Sequence, residues 1–345
     1  MMIGGPVLIH HLNLPYLTLA VGAVLGACRD PVDPNPGAVG PVSPGEVLTA
    51  SALVAGTWTS RAPMPTRLIS HTAGVVDDPS GQPILYVLGG WNRATQDAQK
   101  RVFGYNATTN KWTEKAPMPG RRNSMNGAAT IKGRLYVSGG FNSLGRWTNT
   151  LFAYDPKTNK WSIKAPSPDA VTDGITAAMG DKLYVLSGNC LACPSNVSQR
   201  LWRYDPATNA WKRMQGSPHK HMGGIGGVIN GKWYVAGGGE YRHLDVYDPR
   251  SNTWTTLSGS IPVISTHTAG AVFANRLYMI GTEPDERRVW SYNPATNKWT
   301  AETPLPSPRS DAVAARVTRS GRPILLAVGG WDGTQEVATN EQYVR

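Results

Sequence analysis

The segment Tyr105-Asn-Ala-Thr-Thr-Asn-Lys-Trp112 returns four times along the chain. The other copies are Tyr154-Asp-Pro-Lys-Thr-Asn-Lys-Trp161, Tyr204-Asp-Pro-Ala-Thr-Asn-Ala-Trp211, Tyr247-Asp-Pro-Arg-Ser-Asn-Thr-Trp254 and Tyr292-Asn-Pro-Ala-Thr-Asn-Lys-Trp299. Tyr and Trp stand seven residues apart in all five. The residues between them are turn formers: Pro presets φ, and Asn tolerates a left-handed backbone. Each copy therefore reads as a strand–turn–strand hairpin.

A second pattern lies between the hairpins. Tyr86-Val-Leu-Gly89-Gly90 is matched by Tyr136-Val-Ser-Gly139-Gly140, Tyr184-Val-Leu-Ser187-Gly188, Tyr234-Val-Ala-Gly237-Gly238, Tyr278-Met-Ile-Gly281-Thr282 and Leu326-Ala-Val-Gly329-Gly330. A short apolar strand ends in each case at small residues that permit positive φ or close backbone approach. A third element, Ala62-Pro63-Met64-Pro65, returns as Ala116-Pro117-Met118-Pro119 and Ala165-Pro166-Ser167-Pro168. Repetition at a period near 50 residues marks a stacked or circular array.

These motifs closely resemble the kelch repeat: a double glycine, then a Tyr, then a Trp at fixed spacing. The resemblance covers Trp58 to Arg345 and implies an all-β fold, a six-bladed kelch-type β-propeller with four strands per blade. Six glycine-pair strands accompany only five complete hairpins. The sixth Tyr is Tyr343, two residues from the end, and an orphan Trp58 stands near the start of the repeats. The strand near Trp58 is expected to complete the last blade beside Tyr343, closing the ring and removing exposed sheet edges.

Composition agrees. Of 345 residues, 17% are charged, 38 are Gly and 27 Pro, with 12 Trp and 13 Tyr. That balance argues against coiled coils and long solvated helices. The net charge of +11 is scattered, with no run of five or six like charges. Diffuse positive charge of this kind does not favour a nucleic-acid partner.

The first 27 residues read as a signal peptide, with a mostly apolar stretch from Leu12 to Ala27 too short to span a membrane comfortably. Leu25-Gly26-Ala27-Cys28 resembles the lipobox of bacterial lipoproteins. That resemblance implies lipidation of Cys28 and a lipid-anchored place in the bacterial cell envelope, periplasm or outer membrane. Residues 28–55 then form a Pro-rich tether, and residues 56–345 the propeller. Cys190 and Cys193 form a C-x-x-C pair with no second pair to complete a four-cysteine zinc site. Export favours a disulfide between them.

Function in such a ring is expected in loops at one mouth of the central channel. The loops leading into the innermost strands carry Arg67, Arg121 and Arg309, which resemble the arginines with which kelch domains grip acidic ligands. The loops after the glycine pairs carry Trp91-Asn92, Phe141-Asn142 and Trp331-Asp332, with Trp147 nearby. Aromatic faces beside short polar groups suit a sugar ring or a protein anchor. His71 and His267 share a His-Thr-Ala-Gly context, which points to a role in the repeat itself. His219-x-His221 could ligate a metal, but the spacing is weakly specific. No cofactor is expected.

The reading is a non-catalytic binding module for a glycan or protein partner. The alternative is a resemblance to bacterial sialic-acid (N-acetylneuraminate) epimerases, with the arginines holding an anionic sugar and Glu240 acting as acid or base. A copper oxidase of the galactose-oxidase kind is disfavoured. Both domain cysteines lie in one C-x-x-C, and six blades are expected rather than seven.

Overall fold

A computed structural model describes residues 56–345 except 192, 194–196, 239–241, 259–260, 264–266 and 283–284. The proposed signal peptide, Cys28, the tether and Glu240 lie outside the described residues. The described residues form six four-stranded antiparallel sheets and no helix. The expected six-bladed propeller is what the chain forms.

Blade 1 shows the plan. Its strands are Thr72–Asp77, Pro83–Leu88, Val102–Asn106 and Lys111–Lys115, hydrogen-bonded in that order. The innermost strands of the six blades are Thr72–Asp77, Ala128–Ile131, Ile175–Met179, Ile225–Ile229, Ala269–Phe273 and Val313–Arg319. Each neighbours the next, and the last returns to the first. The second strand of each blade is sealed on both faces, so it reads as a continuous apolar run: Leu85 to Leu88 are at most 1% exposed. The core lies between blades. Leu85, Val87 and Phe103 of blade 1 pack against Leu326 and Val328 of blade 6.

The recurrent Tyr, Asn and Trp form a clamp. In the outer hairpins Asn110, Asn159, Asn209, Asn252 and Asn297 adopt φ of 52–58°, the left-handed region that Asn enters at low cost. Asn110 Oδ1 accepts from the Tyr105 hydroxyl at 2.7 Å and from the Ala62 N–H at 2.9 Å. Trp112 Nε1 donates to the Ala62 carbonyl at 2.8 Å. Both backbone groups of the inter-blade link are thereby satisfied, which buried backbone requires. The clamp repeats on Ala116 (Asn159, Trp161), Ala165 (Asn209, Trp211) and Gln215 (Asn252, Trp254). The spacing of Tyr, Asn and Trp is therefore the geometry of one link-gripping device.

The last blade is closed from the other end of the chain. Thr57–Arg61 pairs antiparallel with Asn340–Val344, with Trp58 opposite Tyr343 and their rings 5.0 Å apart. Trp58 Nε1 donates to the Thr303 carbonyl at 2.9 Å, as in the internal clamps. No turn joins these two strands, so the clamp has no Asn. Glu302 takes its place, accepting from the Tyr343 hydroxyl at 2.9 Å. A Cβ on Gly56 would collide with the Tyr343 ring, so the position just ahead of the closing strand has room only for glycine.

Candidate functional site

A cavity of about 280 Å³ opens at the mouth of the channel, lined by residues from all six blades. Its geometry comes from one backbone station repeated around the ring. Ser70, Ser124, Asp173, Gly223, His267 and Asp311 stand just before the innermost strands, with φ of 50°, 46°, 53°, 66°, 58° and 51°. Consecutive stations are hydrogen-bonded. The Ser124, Asp173 and Gly223 N–H groups donate to the carbonyls of Ser70, Ser124 and Asp173 at 2.9, 3.2 and 2.8 Å, and Asp311 N–H donates to His267 at 2.8 Å. Left-handed residues with side chains cost up to a few kcal/mol each. Gly223 shows that the ring accepts glycine at this station, yet the other blades place Ser, Asp or His there.

The mouth is acidic. Enclosure in the ring pushes the Asp173 and Asp311 carboxyls above their ordinary range, with His267 opposing that shift in both cases. Asp173 is further held by the Thr172 hydroxyl and the Asn189 amide, each at 3.0 Å, and by Ser124. Asp311 is held by Ser70. Among the described residues no Lys or Arg lines the cavity. His71, 7% exposed, is pushed down to about 4 by burial and is neutral at pH 7. Its Nε2 faces the Val328 carbonyl at 3.1 Å, so that nitrogen carries the proton.

None of the described residues singled out from the sequence as ligand contacts lines this cavity. Trp91, Phe141 and Trp331 do stand at one shared station on the same face. Each bridges the residue ahead of a ring member: Ile69, Asn123 and Ser310. Trp147 meets Phe141 edge-on at 5.9 Å, and Arg93 of blade 1 covers the Trp331 ring at 4.7 Å. The aromatics are half-buried and form one side of the rim around the mouth, at blades 6, 1 and 2.

Their polar neighbours have a local task. Asn142 Oδ1 accepts the Leu144 and Arg146 N–H groups at 2.9 and 3.0 Å. Asp332 Oδ1 accepts those of Thr334 and Gln335, both at 2.8 Å, and Asn92 Oδ1 accepts Thr95 N–H at 3.1 Å. These are turn-capping side chains, so the aromatic-plus-amide pattern does not itself mark a ligand contact.

The arginines need the larger correction. Arg309, 1% exposed, lies inside blade 6 with Nη2 2.9 Å from Glu341. A buried guanidinium with a carboxylate partner is a structural ion pair, because freeing it would strand both charges. Arg121 is paired with Asp97 at 2.6 Å, and Arg67 reaches Gln335 at 2.5 Å from an exposed position. The three do not converge, which removes the grip that an anionic sugar was expected to find. His219 and His221 both face buried Asp245, at 3.1 and 2.9 Å, an arrangement internal to blade 4. Cys190 and Cys193 are joined by a disulfide, packed with Val171.

The closed ring of clamped blades defines a kelch-type β-propeller. The comparisons give the family. The KLHDC2/KLHL20/DRC7 Kelch-repeats domain matches residues 70–282, and the chain belongs to that family. A Kelch-like protein, terF, from Aspergillus terreus (strain NIH 2624 / FGSC A1156) is 28% identical over 271 residues, covering 70% of this chain. The chain spans 58% of that relative's length. Among solved structures, that of YjhT superposes with a TM-score of 0.66 at 19% identity, covering 81% of this chain and 95% of the other. That likeness shows the fold.

Proposed function

We propose that this propeller is an exported, lipid-anchored binding module that engages a protein or glycan ligand at the channel mouth. The observation that carries the reading is the cavity into which all six blades project, flanked on the same face at blades 6, 1 and 2 by the Trp331, Trp91 and Phe141 hairpins. A concave site with a few converging polar groups and an aromatic rim is where a propeller offers a ligand both shape and specificity. Envelope placement rests on the sequence before residue 56 and is supported by the Cys190–Cys193 disulfide, since such bonds persist in oxidising compartments.

Two experiments test the two halves. Pulldown and glycan-array binding are compared for the wild type, Trp91→Ala/Trp331→Ala and Asp311→Asn. Binding undiminished in every variant would remove the mouth from the account. For placement, Cys28→Ala is expected to abolish acyl labelling and release the protein from the membrane fraction. An unlabelled wild type would exclude the anchor.

A further inference from the structure

The chemistry of the mouth names a ligand class. Among the described residues the cavity wall holds two carboxylates, Asp173 and Asp311, and no Lys or Arg, in a chain whose net charge is +11. The acidity is therefore a local reversal of the molecule's charge. Hydrogen-bond donors from the ring do not neutralise it: Ser70, Ser124, Thr172 and Asn189 are all uncharged. His267 is the ionisable base that faces both carboxylates, and its side chain is exposed to solvent rather than locked between them. A carboxylate held in an enclosed site gains most from a cation that replaces the lost water.

The rim supplies a second, independent observation. Leu144 is 73% exposed and Leu191 is 66% exposed, the two most exposed large apolar side chains on this face. Leu144 sits in the loop between Phe141 and Trp147. Leu191 follows Cys190, whose strand pairs with Val171–Thr172 immediately ahead of Asp173. The loops belong to adjacent blades, 2 and 3, and the base of each pairs with the segment ahead of a ring station: Phe141 with Asn123, and Cys190 with Val171. Exposed apolar side chains next to an acidic cavity fit a polypeptide better than a sugar, which offers few apolar side groups to leucine.

We propose that the mouth receives a lysine or arginine side chain from a protein partner, inserted toward Asp311 and Asp173, while apolar residues beside it rest on Leu144 and Leu191. This rests on the mouth being the binding surface. It departs from the expectation of an acidic ligand that the sequence raised through Arg67, Arg121 and Arg309.

The test uses the full-length protein and an array of heptapeptides that vary the central residue, with Leu flanks. Lys- or Arg-centred peptides are expected to bind, and Glu-centred ones are not. Asp311→Asn is expected to weaken the basic peptides by about tenfold or more, equivalent to about 1.4 kcal/mol. Leu144→Ser/Leu191→Ser should weaken them whatever the central residue. Thermal melting checks the fold: Asp311→Asn should melt at or above the wild-type temperature, because it removes a carboxylate that enclosure disfavours. Preference for Glu-centred peptides that is lost in Asp311→Asn would keep the mouth and overturn the cation assignment. Preference for amino sugars over every basic peptide would overturn the protein partner. Binding of basic peptides that is unaffected by Asp311→Asn would show that the site lies elsewhere.

Discussion

Deleting Thr57–Arg61 from the full-length chain should open the ring. The deletion removes five register pairs with Asn340–Val344 and the Trp58 clamp on Thr303. Ladder bonds contribute about 1 kcal/mol each net, or about 5 kcal/mol here. Truncating a half-buried Trp costs about 3 kcal/mol. The loss of about 8 kcal/mol compares with a total domain stability of about 5–15 kcal/mol. A domain of this size loses about 2–4 °C of Tm per kcal/mol, so a drop of roughly 15–30 °C is expected. The bared Asn340–Val344 edge should also promote aggregation. Calorimetry and urea titration measure the first effect, and light scattering the second. A graded control is Trp58→Ala, which keeps the ladder and should lose about 3 kcal/mol. An unchanged melting temperature after the deletion would refute the closure, and with it the energetic role assigned to Trp58.

Other outcomes follow from the same contacts. Asn159→Ala removes the acceptor shared by Tyr154 and the Ala116 N–H and should cost about 1–2 kcal/mol by urea titration, since a part-buried hydroxyl and a more exposed N–H both lose their partner. The unfolded chain takes up a proton on His71 near pH 6.5, while the folded chain resists it until about pH 4. Stability should therefore fall by about 3 kcal/mol on acidification across that window, and the His71→Gln variant should lack this slope. Replacing Cys190 and Cys193 by Ser opens a loop of only a few residues, so stability by urea titration should fall by no more than about 2 kcal/mol. Binding of basic peptides should fade on acidification at a higher pH than an ordinary aspartate would set, because Asp173 and Asp311 are both raised.

The scaffold was written plainly in the residues. Tyr, Asn and Trp recur at fixed spacing because one clamp grips one link, and the clamp tolerates no insertion. Closure by Trp58 was legible for the same reason, as a Trp without its Tyr must find one elsewhere. The mouth was legible only in part. Ser70, Asp173, His267 and Asp311 lie in loops that the repeat pointed to, but their shared station shows up as positive φ, not as a motif. Ser124 occupies it with the same side chain as Ser70, and Gly223 with none. Comparing the blades would have found them, since five of the six stand two residues before an innermost strand and Ser124 stands four before it. Arg309 misled because loop position does not fix side-chain direction: the partner that draws it inward, Glu341, lies on a different strand of the blade. Asn92, Asn142 and Asp332 misled because a capping side chain and a ligand contact use the same residue types.

The claim that the mouth is the binding surface is tested most directly by photo-crosslinking in intact cells. A photoreactive residue is placed at Leu144, on the mouth rim, or at Ile163, 70% exposed on the outer strand of the same blade. The account predicts one crosslinked partner from position 144, lost when Asp311→Asn is added, and none from position 163. The same partner captured from 163 and not from 144, or capture from 144 indifferent to Asp311→Asn, would contradict it.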